Sequence, residues 1–162
     1  MLRPLFRVLI SRHFAAAIEL VIFVPLVLGL WEVSKALWVL PDLHEQVETL
    51  TGLGIIMIAL GVVLEERRSL REVFGLLDGP DEAWEEHIDH SCHLAGVGQL
   101  VLGLFAEIFM ELTKIPNSVI YTGEVDDWLL AGGCIMIGIG GLLLLRHATV
   151  LVTMSRRRLH LH

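Results

Sequence analysis

Apolar residues arrive in four long blocks, near positions 15 to 38, 47 to 65, 92 to 114 and 128 to 151, and the short segments between them hold most of the charge. A bilayer core of roughly 30 Å takes about 20 helical residues, a length that each block reaches or approaches. The pattern predicts an all-α fold, an integral membrane four-helix bundle. The first block follows Arg3, Arg7 and Arg12, as a secretory signal would. It is too long for one, holds Pro25 and Glu32, and has no small-x-small cleavage pattern, so it is expected to stay as an anchor.

The blocks repeat. "EVSK" at 32 to 35 returns as "ELTK" at 111 to 114, and "GIIMIALGVVLEERR" at 54 to 68 returns as "GCIMIGIGGLLLLRH" at 133 to 147. One offset therefore pairs Glu32 with Glu111, Lys35 with Lys114, Glu45 with Glu124, Gly54 with Gly133, Gly61 with Gly140 and Arg67 with Arg146. Chance matches are common in apolar helices, so the charged pairs carry the inference. They predict a tandem duplication of a two-helix hairpin, residues 1–78 and 79–162, forming one membrane domain. Two hairpins entering from one side make a parallel repeat, related by an axis along the membrane normal. Gly54 and Gly61, Gly96 and Gly103, and Gly133 and Gly140 are spaced for close helix approach, which is read first as packing within the chain.

Between the hairpins, Leu70, Val73, Phe74 and Leu77 recur at helical spacing beside Arg67, Arg68 and Arg71. This predicts a short interfacial helix on the cytoplasmic surface, its arginines facing lipid phosphates. "DGPD" at 78 to 81 then turns the chain, with Asp81 capping the third long helix and Trp84 at interfacial depth.

Charge changes the picture in two ways. Hydrophobic residues make up 54% of the 162, mean hydropathy is +0.68 and only 19% are charged, against about 25% in soluble domains. Of the 12 basic residues, ten arginines flank one side of the predicted bundle and Lys35 and Lys114 the other. The positive-inside rule then places both termini in the cytoplasm, as for a protein of a plasma or bacterial inner membrane. The formal charge of −7 does not oppose this, since acidic residues contribute little to orientation, and no basic face beyond these flanks suggests nucleic acid. Expected partners are lipid, with anionic headgroups at the basic flanks and at the "SRRRLHLH" tail, and a second copy or a larger membrane complex. Cys92 and Cys134 fall at different depths and are expected as free thiols.

Candidate chemistry gathers where the repeat fails. The offset sets Glu65 and Glu66 against two leucines, His93 against Phe14 and Glu107 against Leu28. On the third helix Glu86, Asp89, His90 and His93 fall within an arc of about 100°, and His87 turns away. Glu19 and His147 lie near the same boundary. Inward carboxylates and imidazoles are how helix bundles hold iron, manganese or zinc. The residues therefore suggest a divalent-metal site with His90 and His93 as first ligands, Glu65, Glu66, Glu19 and His147 completing it, and Glu86 or Asp89 orienting the imidazoles. A haem between His93 and His147 is a weaker alternative. The bland reading of residues 82 to 93 is a solvated acidic helix start complementing the helix dipole.

Glu107, deep in the third span, is expected to be neutral and hydrogen-bonded to a neighbouring helix; with Glu111 it could instead mark an ion or proton path, although Val97, Leu100 and Leu104 leave a dry gap. Whether the chain is an enzyme is open, and the residues show no triad, phosphate loop or zinc-protease motif. Besides the metal protein, two classes stand: an accessory or assembly subunit of a larger membrane complex, and a small oligomeric cation or proton channel.

Overall fold

A computed structural model describes residues 11–39, 43–75, 82–115 and 125–159. Among the described residues every regular element is an α-helix: α1 (Arg12–Val39), α2 (Leu43–Glu65), α3 (Arg67–Val73), α4 (Glu82–Thr113) and α5 (Asp126–Leu159). The four long helices each contain a stretch of the length and composition needed to cross a membrane. They form an up-down ring in which α1 packs on α2 and α5, and α4 packs on α2 and α5. The polar end of the bundle is where α1 and α4 begin. Leu77, the "DGPD" turn and Asp81 lie outside the described residues.

The tightest seam is between α2 and α4, and glycine creates it. A Cβ on Gly61 would stand 2.7 Å from the backbone nitrogen of Leu100 and 2.8 Å from the carbonyl oxygen of Gly96. One on Gly96 would stand 2.5 Å from the nitrogen of Glu65, and one on Gly103 2.9 Å from the carbonyl of Gly54. Gly61 thus faces Gly96 and Gly54 faces Gly103, two turns apart, and the helix backbones touch. Lipid supplies no hydrophobic drive between helices, so this close van der Waals contact is a main source of association. Gly133 and Gly140, which have the same seven-residue spacing, meet the side chains of Met110 and Met57 instead. The glycine pairs of α2 and α4 are packing seams within one chain, as expected.

Around that seam lies a core including Leu26, Leu50, Met57, Leu60, Met110, Leu130, Ile137 and Leu144, all buried. Large apolar side chains such as Val21, Trp31, Val63, Leu94, Phe105 and Leu142 point outward. An apolar exterior around an apolar core suits a helix bundle in lipid.

Two i,i+3 ion pairs form at the opposite end, one on α1 and one on α4. Lys35 donates to Glu32 at 2.8 Å, and Lys114 to Glu111 at 2.6 Å. Lys35 also lies 5.7 Å from the centre of the Trp31 ring, within cation–π range.

Candidate functional site

α2 does not stop cleanly. Glu66 interrupts it for one residue, but Glu66 N–H still bonds the carbonyl of Val62 at 3.0 Å, and Leu70 N–H that of Glu66 at 2.9 Å. α3 follows at once and lies along the first turns of α4. Gly75, at φ +63°, ends it, a left-handed position that glycine occupies without strain.

Here the expectation for the arginines is corrected. Arg67 and Arg71 are 5% and 4% exposed, and they turn into the bundle instead of toward lipid phosphates. Both donate to Asp89: Arg67 through Nη1 to Oδ1, and Arg71 through Nη1 to Oδ2. Arg67 Nη2 also donates to Glu85 at 2.8 Å, and Arg71 Nη2 to Glu82 at 2.9 Å. Spacing explains the match. Arg67 and Arg71 are one turn apart on α3, while Glu82, Glu85 and Asp89 fall at i, i+3 and i+7 on one face of α4. Burial pulls the Arg71 pKa down, but the Asp89 hydrogen bond and the charges of Asp89, Glu82 and Glu85 outweigh it, and the net shift is upward. A raised pKa contributes stability in full below the unfolded value, so the Arg71 side of the network is lost only in strong alkali.

The eight candidate metal residues fall in two places, and within one of them Asp89 is already committed. Asp89 is buried under the two guanidinium groups and is not available to orient an imidazole or take an ion. Glu19, fully buried on α1, meets His147, buried on α5, with Oε1 and Nδ1 2.8 Å apart. The other six of the set, Asp89 included, line one open cleft of about 730 Å³ between α2, α3 and α4, with Glu65, Glu66, Glu86, His90 and His93 joined by Arg68, Ser69 and His87. Glu66, Glu86, His90 and His93 are exposed and Glu65 is half-buried. Among the described residues no group of three or more His, Cys, Asp or Glu side chains is placed to hold a metal ion. The eight-residue set is therefore not one centre. The physical reason is that a buried carboxylate must be neutralised by whatever reaches it, and arginine and histidine of the same fold reach these first.

The Glu19–His147 pair has the carboxylate–imidazole form that orients a metal-bound histidine. Its free Nε2 and the Oε2 of Glu19 are buried without hydrogen-bond partners among the described residues, yet no third ligand stands beside them. His93 and His147 line different cavities.

Higher in the bundle, Gln99 is fully buried, and its Nε2 donates to the carbonyl of Gly140 at 2.6 Å, joining α4 to α5. The sequence reading missed this contact. A glutamine eight residues from the nearest Asp, Glu, Lys or Arg in an apolar helix was the available signal, because such a group must find a partner. Glu107 is half-buried, with Oε2 against the space above Gly54. That oxygen has no hydrogen-bond partner among the described residues, contrary to the bond expected from a neighbouring helix. Glu111 is exposed and paired with Lys114. Both cysteines are free.

Compared with protein-family models, curated proteins and solved structures, the chain finds no match.

Proposed function

We propose that this chain is an accessory or assembly subunit of a larger membrane complex, and that the open cleft at the polar end is where it meets its partner. The observation that carries this is the division of charge. The buried ionisable groups at that end are paired inside the fold, while Glu65, Glu66, Glu86, His87, His90 and His93 share one accessible cleft. Arg68 lies 3.8 Å from Glu86 and offsets one of the three glutamates. The surplus of acid fits a basic segment of the partner. Charge complementarity of this kind sets register and association rate more than raw affinity. The network of Arg67, Arg71 and Asp89 would hold α3 and α4 as a fixed wall for it.

The tandem duplication, the position of α3 near the headgroups, and a bacterial inner-membrane setting with both termini cytoplasmic belong to this reading. The Lys35–Glu32 and Lys114–Glu111 pairs, formed at equivalent places, support the duplication.

Photocrosslinking in native membranes tests the proposal, with the probe at position 90 in the cleft and, as a control, at exposed Ile55. A discrete protein adduct from position 90 alone, lost when Glu65, Glu66 and Glu86 are changed to Gln, is the expected result. Lipid adducts only, from both positions, would contradict it.

A second reading keeps iron, manganese or zinc, bound loosely in the cleft by His90 and His93 with Glu65 or Glu66. It is favoured by the shared lining of that cleft. Equilibrium dialysis with zinc and manganese decides: stoichiometric binding lost in both His90→Ala and His93→Ala supports it, and no binding by the wild type ends it.

A further inference from the structure

On the other side of α4 from the acidic cleft, a cavity of about 230 Å³ opens between α4 and α5, lined by Ser91, Leu94, Leu143, Arg146, His147 and Val150 among others. Its contents are graded. Leu94, Leu143 and Val150 give apolar walls, while Ser91 and Arg146 bring a hydroxyl and a guanidinium. Leu94 is 60% exposed, so the cavity is open toward the lipid-facing surface.

Depth can be judged from the helices themselves. Arg146 lies 18 residues beyond Trp128 on α5, about 27 Å at a rise of 1.5 Å per residue. Ser91 lies 22 residues before Thr113 on α4, about 33 Å. Both distances approximate the roughly 30 Å hydrocarbon core, which sets the two polar groups at the same headgroup boundary with the leucines below them.

The charge is available as well. Arg67 and Arg71 are bound to Asp89, and Arg68 has Glu86 nearby. Among the described side chains, Arg146 is the arginine with no carboxylate partner. His147 adjoins it, with Nδ1 already directed to Glu19.

We infer that this cavity is a binding site for an anionic phospholipid of the leaflet on the polar side, its phosphate held by Arg146 and Ser91 and its upper acyl chain lying on Leu94 and Leu143. A basic pocket between membrane helices at headgroup depth is a recognised lipid site. The cavity is smaller than the roughly 300–1,000 Å³ of a small-molecule pocket, which suits a headgroup whose chains remain in the bilayer. A soluble phosphate would gain nothing from the apolar walls.

Native mass spectrometry of the purified full-length protein tests this, with phosphatidylglycerol, phosphatidylcholine and inorganic phosphate as separate probes. One phosphatidylglycerol retained per chain is expected, in preference to phosphatidylcholine. Arg146→Gln should weaken its retention about five-fold, the effect of one basic residue near an anionic surface. Ser91→Phe, which fills the cavity without removing charge, should weaken it too, while Arg68→Gln should not. Equal retention of phosphatidylcholine, competition by inorganic phosphate, or unchanged phosphatidylglycerol retention in both Arg146→Gln and Ser91→Phe would each overturn the inference. If Arg146→Gln fails to fold, Ser91→Phe and the competition arm still decide.

Discussion

Two regions of this bundle are held by opposite means. At the polar end, α3 and α4 are joined by long charged side chains that bring two guanidinium groups onto one buried carboxylate. Midway along, α2 and α4 are joined by the absence of side chains, with Gly61 against Gly96 and Gly54 against Gly103. The first contact depends on neutralising charge, the second on shape. A change that removes an atom should therefore damage the first, and one that adds an atom should damage the second.

The largest effect is expected from Asp89→Ala. It leaves Arg67 and Arg71 buried without their shared partner, a loss of about 3–5 kcal/mol, measurable by unfolding in mixed detergent micelles. The same deletion logic applies to Glu19→Leu, which strands the His147 imidazole and should cost about 1–3 kcal/mol in that assay.

Addition is the test for the seam. Gly96→Ala and Gly61→Ala place a methyl against backbone that cannot rotate away, and each should cost about 1–3 kcal/mol. Gly138→Ala is the control, because nothing lies within 4 Å of its Cβ position, and it should be neutral or slightly stabilising through helix propensity. Gly140→Ala sharpens the comparison further. Its Cβ would run into Met57 Cε, but that is the free end of a flexible side chain. Thermal unfolding should show a smaller loss than Gly96→Ala despite the closer contact.

The smallest effect belongs to the opposite end. Glu32→Gln and Glu111→Gln each break an exposed pair, with side chains 70% and 58% exposed respectively, and stability should change by no more than about 0.5 kcal/mol.

Much of the architecture was legible in the pattern of residues. Block length located the four spans, and the glycine spacing located the seam, because both follow from one-dimensional rules of rise and periodicity. Which glycines face each other was not legible, since Gly133 and Gly140 share the spacing of Gly54 and Gly61 yet meet methionines. The polar end was legible as a concentration of acids and imidazoles but not as a set of partnerships. Reading α4 alone groups Asp89 with His90 and His93. All three line the cleft, but the fold commits the buried Asp89 carboxylate to Arg67 and Arg71 on α3 while the histidines stay exposed. Periodicity orders residues on one helix and says nothing of which neighbour arrives to neutralise them. Glu19 and His147 show this most plainly, at nearly opposite ends of the chain and 2.8 Å apart.

The account turns on Asp89 serving the fold through its two arginines, and the most direct measurement is unfolding of three proteins side by side: wild type, Asp89→Ala, and Arg67→Met/Arg71→Met/Asp89→Leu. The single variant should lose about 3–5 kcal/mol, and the triple variant, with no charge left unpaired among the three positions, should recover most of it. Wild-type stability in Asp89→Ala, or a triple variant less stable than the single one, would contradict the pairing on which the division between buried network and open cleft depends.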